Sequence, residues 1–173
     1  LSFDDGYSSF YTRVLPVLRA YNWHALLAPV GSWIDTPLNQ PVDFAGTPRA
    51  RSDFLTWDQV REISKSGLVE IAAHTDANHK GILANPQGNM QPAAATRRYD
   101  PVTKRYESEA DFQARIRTDV SNISEKIRKV TGKKPRVWVW PYGTADGTSL
   151  TVVGEQGYEM ALTLDDGLDT LDN

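Results

Sequence analysis

Cysteine is absent from the 173 residues, so no disulfide braces this fold and no thiolate is available as nucleophile or metal ligand. The same absence fits an exported chain and a cytosolic one, and leaves the compartment open. Histidine is scarce, with three in all, at positions 24, 74 and 79. Long apolar runs are missing too: nothing approaches the roughly 18 residues of a membrane-spanning helix, and no signal peptide is present. Charge of one sign is also lacking. With 19 basic and 22 acidic residues the formal net charge is -3, which gives a nucleic-acid partner no electrostatic footprint. The one basic cluster, 126–134, falls at the end of a helical pattern, where cations suit the helix dipole. There are no internal repeats at solenoid periods. The chain has the size of one domain, 1–173, with a sizeable core. Because Leu1 opens in the middle of an apolar strand, the expectation is a segment of a longer protein, truncated at both ends.

What is present is a regular alternation. Apolar runs at 1–3, 25–30, 69–73, 137–140 and 160–164 read as short buried strands. Helical patterns separate most of them. Phe10, Val14, Leu15 and Leu18 mark the first, interrupted by Pro16. Thr56 caps the second with Gln59 completing a capping box, and Gly67 ends it. Phe112, Ile116, Val120, Ile123, Ile127 and Val130 form one stripe along a long third helix, closed by Gly132 and Pro135. Strand–helix alternation predicts an α/β fold with parallel strands, here part of a distorted (β/α) barrel, whose chemistry collects at the C-terminal strand ends. Two connections are long. The stretch 31–55 has no clear period, and an insertion at about 75–108 reads as a binding rim or lid carrying a polar hairpin around Asp100-Pro101.

The chemistry-bearing residues sit at predicted strand ends. Asp4 and Asp5 follow the first strand and precede Gly6. Adjacent carboxylates repel unless a cation or proton separates them, so the pair points to a metal site or a coupled acid/base pair, against the plain alternative of a solvated turn. His74 and His79 follow the third strand. A carboxylate with two imidazoles makes a three-ligand set with open positions, as expected of a catalytic divalent cation. Trp140 stands beside the turn Pro141-Tyr142-Gly143 and is a candidate wall for a sugar-binding groove, whereas Trp57 and Trp138 read as core. Thr163-Leu-Asp-Asp-Gly167 echoes the pattern of the first acid cluster and makes Asp165 and Asp166 a possible second one.

Ser2-Phe-Asp-Asp-Gly6, His74-Thr-x-x-x-His79 and Trp140-Pro-Tyr-Gly143, in this order, resemble the first three motifs of the polysaccharide deacetylases of carbohydrate esterase family 4. The segments 10–14, 28–33, 57–62 and 139–143 extend the resemblance to its branch of exported poly-β-1,6-N-acetyl-D-glucosamine N-deacetylases. It runs over nearly the whole chain. It implies a barrel of the NodB-homology type and metal-dependent N-deacetylation of a β-linked N-acetylglucosamine polysaccharide in a biofilm setting. Asp5, His74 and His79 would hold a divalent ion (Zn, Ni, Co or Fe). Asp4 would be the general base, the backbone N–H of Tyr142 would donate to the oxyanion, and Trp140, Pro141 and Tyr142 would contact substrate. A periplasmic, outer-membrane-attached location and partners in an export machinery follow from the same resemblance. Two departures stand out. Val139-Trp140 replaces the arginine that normally precedes the proline, and the family's general-acid histidine is not found, His24 lying before a strand. A deacetylase of chitin, peptidoglycan or xylan uses the same chemistry, and a non-catalytic carbohydrate-binding domain would keep the same fold.

Overall fold

The computed structural model of the chain describes residues 1–165. Five parallel strands form at the expected runs: β1 (Ser2–Asp5), β2 (Ala25–Pro29), β3 (Val69–Ile71), β4 (Val137–Val139) and β5 (Met160–Leu162). β1 pairs with β2, β2 with β3, and β4 with β5. Ala73 bridges to Trp138 in parallel, with Ala73 N–H donating to Val137 O at 3.0 Å and Val139 N–H to Ala73 O at 2.9 Å. The strands therefore lie in sequence order without reversal. A doubly wound sheet would reverse its order at a switch point; a continuous arc is the beginning of a barrel.

The helices cover the outer face of the arc. Five residues of π-helix (Phe10–Val14) run without a break into α1 (Leu15–Tyr21), and Leu15 N–H donates to Phe10 O, five residues back, immediately before Pro16, which has no N–H to give. α2 (Gly31–Asp35) follows β2 directly. α3 (Trp57–Lys65) begins at the predicted capping box of Thr56 and Gln59, and α4 (Glu109–Thr131) ends at Gly132 with φ 78°. α5 (Gly147–Glu155) forms although Thr, Val and Gly are weak helix formers; an Asp146–Ser149 capping box starts it.

Leu27, Ile71 and Trp138 face the helices and join Leu18, Ile63, Ile116, Val120 and Ile123 in the main core. Ala28, Ala72, Val137 and Val139 form a thin second layer on the opposite, concave side. This split is the two-residue alternation of strands at work. No helix among the described residues is long and apolar enough to cross a membrane.

Both long connections are more ordered than their sequences imply. The first holds α2 and a hairpin, Val42–Phe44 with Thr47–Arg49, and is tied down by the buried Arg51 guanidinium, which donates to the carbonyls of Ile34, Thr36, Phe54 and Leu55. The second contains two hairpins, one of them the expected Tyr99–Asp100 with Arg105–Tyr106. Arg115 of α4 holds this insertion through Ala93 O, Thr96 O and Glu107. None of residues 80–108 lines the cleft at the strand ends. The insertion expected at about 75–108 reaches the cleft through His79, and the part beyond it is clamped against α4.

Candidate metal centre

A cleft of about 510 Å³ opens at the C-terminal ends of β1, β3 and β4 and contains Asp4, Asp5, His74, His79 and Tyr142. Besides Gly6 and Gly143, three further residues with positive φ shape it: Asp5 (70°) ending β1, Thr75 (69°) after His74, and Tyr142 (58°) after β4. None of these three is glycine. A left-handed non-glycine residue is uncommon, and for a β-branched threonine it is an outlier that persists only when its surroundings over-determine it. Here each one turns the chain sharply as it leaves a strand and directs side chains back over the cleft.

Asp5 Oδ1 lies 3.3 Å from His79 Nε2 and 3.6 Å from His74 Nε2. All three ligand atoms fall within 4.8 Å of one another. His74 is 2% exposed and His79 9%. The imidazole of His74 contacts the Val139 carbonyl through Nδ1 at 2.8 Å. That carbonyl can only accept, so Nδ1 carries the proton and Nε2 keeps its lone pair towards Asp5. His79 is enclosed by the rings of Tyr142, Trp33 and His74, with centroids at 4.6, 4.7 and 4.8 Å.

Burial governs the protonation of all three. It lowers His74, and it lowers His79 to about 4 with help from the neighbouring imidazole. Burial, reinforced by the charge of Asp4, pushes the Asp5 carboxyl up to about 6. Near neutral pH both imidazoles are thus uncharged, so their short approaches to Asp5 are not ion pairs. Asp5 Oδ1 is buried without a hydrogen-bond partner. An orphaned carboxylate oxygen facing two ring nitrogens is costly unless a cation fills the gap. The donor set, one carboxylate and two neutral imidazoles with open positions, fits a divalent transition metal.

The remaining predicted residues divide. Asp4 is exposed in the cleft beside Asp5, where it is free to meet solvent or substrate. Tyr142 is 42% exposed. Pro141 is buried and opens the 3₁₀ turn Pro141–Gly143 that presents Tyr142. Trp140 borders the cleft, yet its indole is 2% exposed and packs edge-on against Trp138 at 5.7 Å. The expectation of a stacking wall is corrected: residues two apart on a strand share a face, and both tryptophans face the helices. His24 is exposed just before β2, at the end opposite the cleft. Asp165 is exposed and bonded to Thr163, while Asp166 and Gly167 lie outside the described residues. Sequence reasoning missed Phe44, which the hairpin after α2 brings into the cleft. No local signal marks it.

Known proteins share this arrangement. A family model described as polysaccharide deacetylase matches residues 1–161. Over 168 residues the chain is 46% identical to a poly-beta-1,6-N-acetyl-D-glucosamine N-deacetylase of Escherichia coli (strain K12), covering 97% of this chain and 25% of that protein. The BpsB deacetylase domain from Bordetella bronchiseptica superposes with a TM-score of 0.95 at 44% identity, over 100% of this chain and 66% of that one. A de-N-acetylase from Aggregatibacter actinomycetemcomitans gives 0.94 at 42%, again over 100% and 66%. The chain spans about a quarter of the length of the curated relative. With the family model running almost from end to end and the Asp/His/His cluster standing at the strand ends of the matching fold, the chain belongs to the polysaccharide deacetylase family.

Proposed function

We propose that this domain removes N-acetyl groups from a poly-β-1,6-linked N-acetylglucosamine polysaccharide, consuming water and releasing acetate and a free amine on the sugar. The observation that carries the reading is the convergence of Asp5, His74 and His79 on one orphaned carboxylate oxygen in an open cleft. The 46% identity to a deacetylase of that glycan supports the substrate.

Asp5, His74 and His79 are the residues that would hold a divalent ion of the Zn, Ni, Co or Fe type. Bound there, it supplies Lewis acidity, which lowers the pKa of water and polarises the acetyl carbonyl. Asp4, exposed in the same cleft and not among the ligands, accepts the proton of the attacking water as general base. The backbone N–H of Tyr142, carried on a left-handed turn, donates to the oxygen that becomes anionic as the carbonyl is attacked. Val139, through its carbonyl, fixes the His74 tautomer and so keeps Nε2 deprotonated. Tyr142 and Phe44 give the cleft aromatic surfaces for the sugar, in place of the buried Trp140. Action in the periplasm, at the outer membrane and next to export machinery, is part of the same proposal.

The test is deacetylation of β-1,6- and β-1,4-linked N-acetylglucosamine oligomers by the full-length protein, with metal content measured. Acetate release confined largely to the β-1,6 series, abolished by chelation and restored by a divalent metal, is expected. Preference for the β-1,4 series would reassign the substrate to chitin or peptidoglycan; metal content with no hydrolysis of either would leave a carbohydrate-binding domain.

A further inference from the structure

We propose that Asp119, on α4, is a positioning residue for the metal centre: its carboxylate holds the backbone between the two histidines and thereby sets where His79 stands. The inference rests on the metal-binding reading given above. Asp119 comes 40 residues after His79 in sequence, and no motif marks it.

Its side chain is 6% exposed. Oδ2 accepts the N–H of Asp76 at 2.9 Å, and Oδ1 accepts the N–H of Ala77 at 2.7 Å. These adjacent amides lie midway between His74 and His79. The carbonyls of the same stretch are gripped from the other side, Thr75 O by the N–H of Gly31 at 3.2 Å and Asp76 O by the N–H of Ser32 at 2.7 Å. α4 therefore takes the donors of the segment and α2 takes its acceptors. Thr75 sits inside this double grip with φ 69°, the strained conformation that needs such enforcement.

Two amides pointing the same way call for an acceptor with two oxygens in one plane. A carboxylate supplies this; an asparagine supplies one oxygen and turns a competing NH₂ towards the second amide. Placing an ionisable group in so buried a site is costly, and a structural cap between α4 and a loop does not require a bidentate anion. Asp119 does not line the cleft and hydrogen-bonds none of the three candidate ligands, so its influence passes through the backbone of residues 76 and 77.

Co(II) serves as the probe, because its visible spectrum reports coordination geometry independently of turnover. Asp119→Asn and Asp119→Ala are compared with the wild type well below their melting temperatures, alongside Ser124→Ala, a buried α4 control whose hydroxyl bonds Val120 O and Tyr158 and makes no hydrogen bond to the 74–79 segment. The expectation is a graded weakening of Co(II) binding, on the order of 10- to 100-fold and larger for Ala than for Asn, with a displaced d–d spectrum. The Ser124 variant should melt earlier yet bind Co(II) as the wild type does. If the Ala variant does not fold, Asn decides. Wild-type affinity and spectrum in folded Asp119→Asn would overturn the inference and leave Asp119 a structural cap. A wild type that binds no Co(II) would overturn the metal reading and this inference with it.

Discussion

Replacing Gly31 with alanine should distort the candidate metal centre without touching it. Gly31 opens α2, and an added Cβ would fall on Asp76 Oδ1, closer than real atoms approach, and 3.1 Å from Ile123 Cδ1. Asp76 has little room to retreat. It is 7% exposed, its carboxylate pairs with Lys126, and its backbone is bonded to both Asp119 and Ser32. Two effects oppose each other. Alanine is favoured over glycine within a helix by about 1 kcal/mol. Overpacking of a filled site costs about 1–3 kcal/mol, and disturbing a partly buried ion pair adds to that. Overpacking wins, for a net loss of about 1–2 kcal/mol, or roughly 2–8 °C in melting temperature for a domain of this size. The relief open to Asp76 is a shift of the 75–77 backbone, which carries His79 with it, so metal affinity should fall as well. Calorimetric melting and isothermal titration with Zn(II) read the two quantities separately. A variant that melts higher than the wild type and binds Zn(II) equally well would refute the reasoning, by showing that the helix term dominates and that the Asp76 site yields freely.

Other expectations concern the acids, the core and pH. Asp4→Asn should retain metal and lose about 10²- to 10⁴-fold in turnover, whereas Asp5→Asn should lose metal as well; Asp165→Asn should do neither, and strong metal loss there would show the wrong acid cluster to have been chosen. Trp140→Ala should cost about 3–5 kcal/mol in denaturant titration, as truncation of a buried tryptophan does, with KM for oligosaccharide unchanged in the protein that remains folded. A raised KM at unchanged stability would return Trp140 to the groove. Burial raises the Asp119 carboxyl from 3.8 to about 6, outweighing the two amides that favour its charged form. With the folded pKa above the unfolded one, the stability contributed by this group is fully present below pH 4 and is lost as pH rises through 6, by up to about 3 kcal/mol. Metal-free wild type should therefore lose stability relative to Asp119→Asn between pH 4 and 6, and parallel curves would contradict the assignment.

The parts of this fold that were legible in the sequence are those fixed by local rules. All five strands follow from short apolar runs, and α3 and α4 from their caps and from a stripe repeating every three to four residues. The meeting of Asp5 with His74 was legible because strand ends deliver side chains to a common face of a parallel array; His79 joins them through the loop held between α2 and α4. What escaped was decided at long range or by competing local signals. α5 is built from weak helix formers and depends on its packing against α4. Phe44 reaches the cleft because Arg51 satisfies four carbonyls of the preceding and following chain, a closure invisible in either stretch alone. Trp140 was misread through its neighbours in sequence, although the alternation placing Trp138 in the core already places Trp140 beside it.

The strained residues and the buried acids of this domain have a common explanation. Asp5, Thr75 and Tyr142 occupy left-handed conformations at three strand ends. Such conformations cost about 1–3 kcal/mol each, so a sequence under pressure for stability alone would place glycine there. At two of the three positions glycine would delete a side chain the cleft uses: the Asp5 carboxylate and the ring of Tyr142, which covers His79 at 4.6 Å. Thr75 is different, since its hydroxyl is buried without a partner. Its side chain adds bulk to a turn that glycine would leave free to move, and its backbone is the stretch gripped between α2 and α4. The expense of burying Asp119 then follows from the expense of Thr75. A strained turn keeps its shape only if the hydrogen bonds on both of its faces outweigh the relaxation available to it, and the bond-rich partner supplied by α4 is a carboxylate.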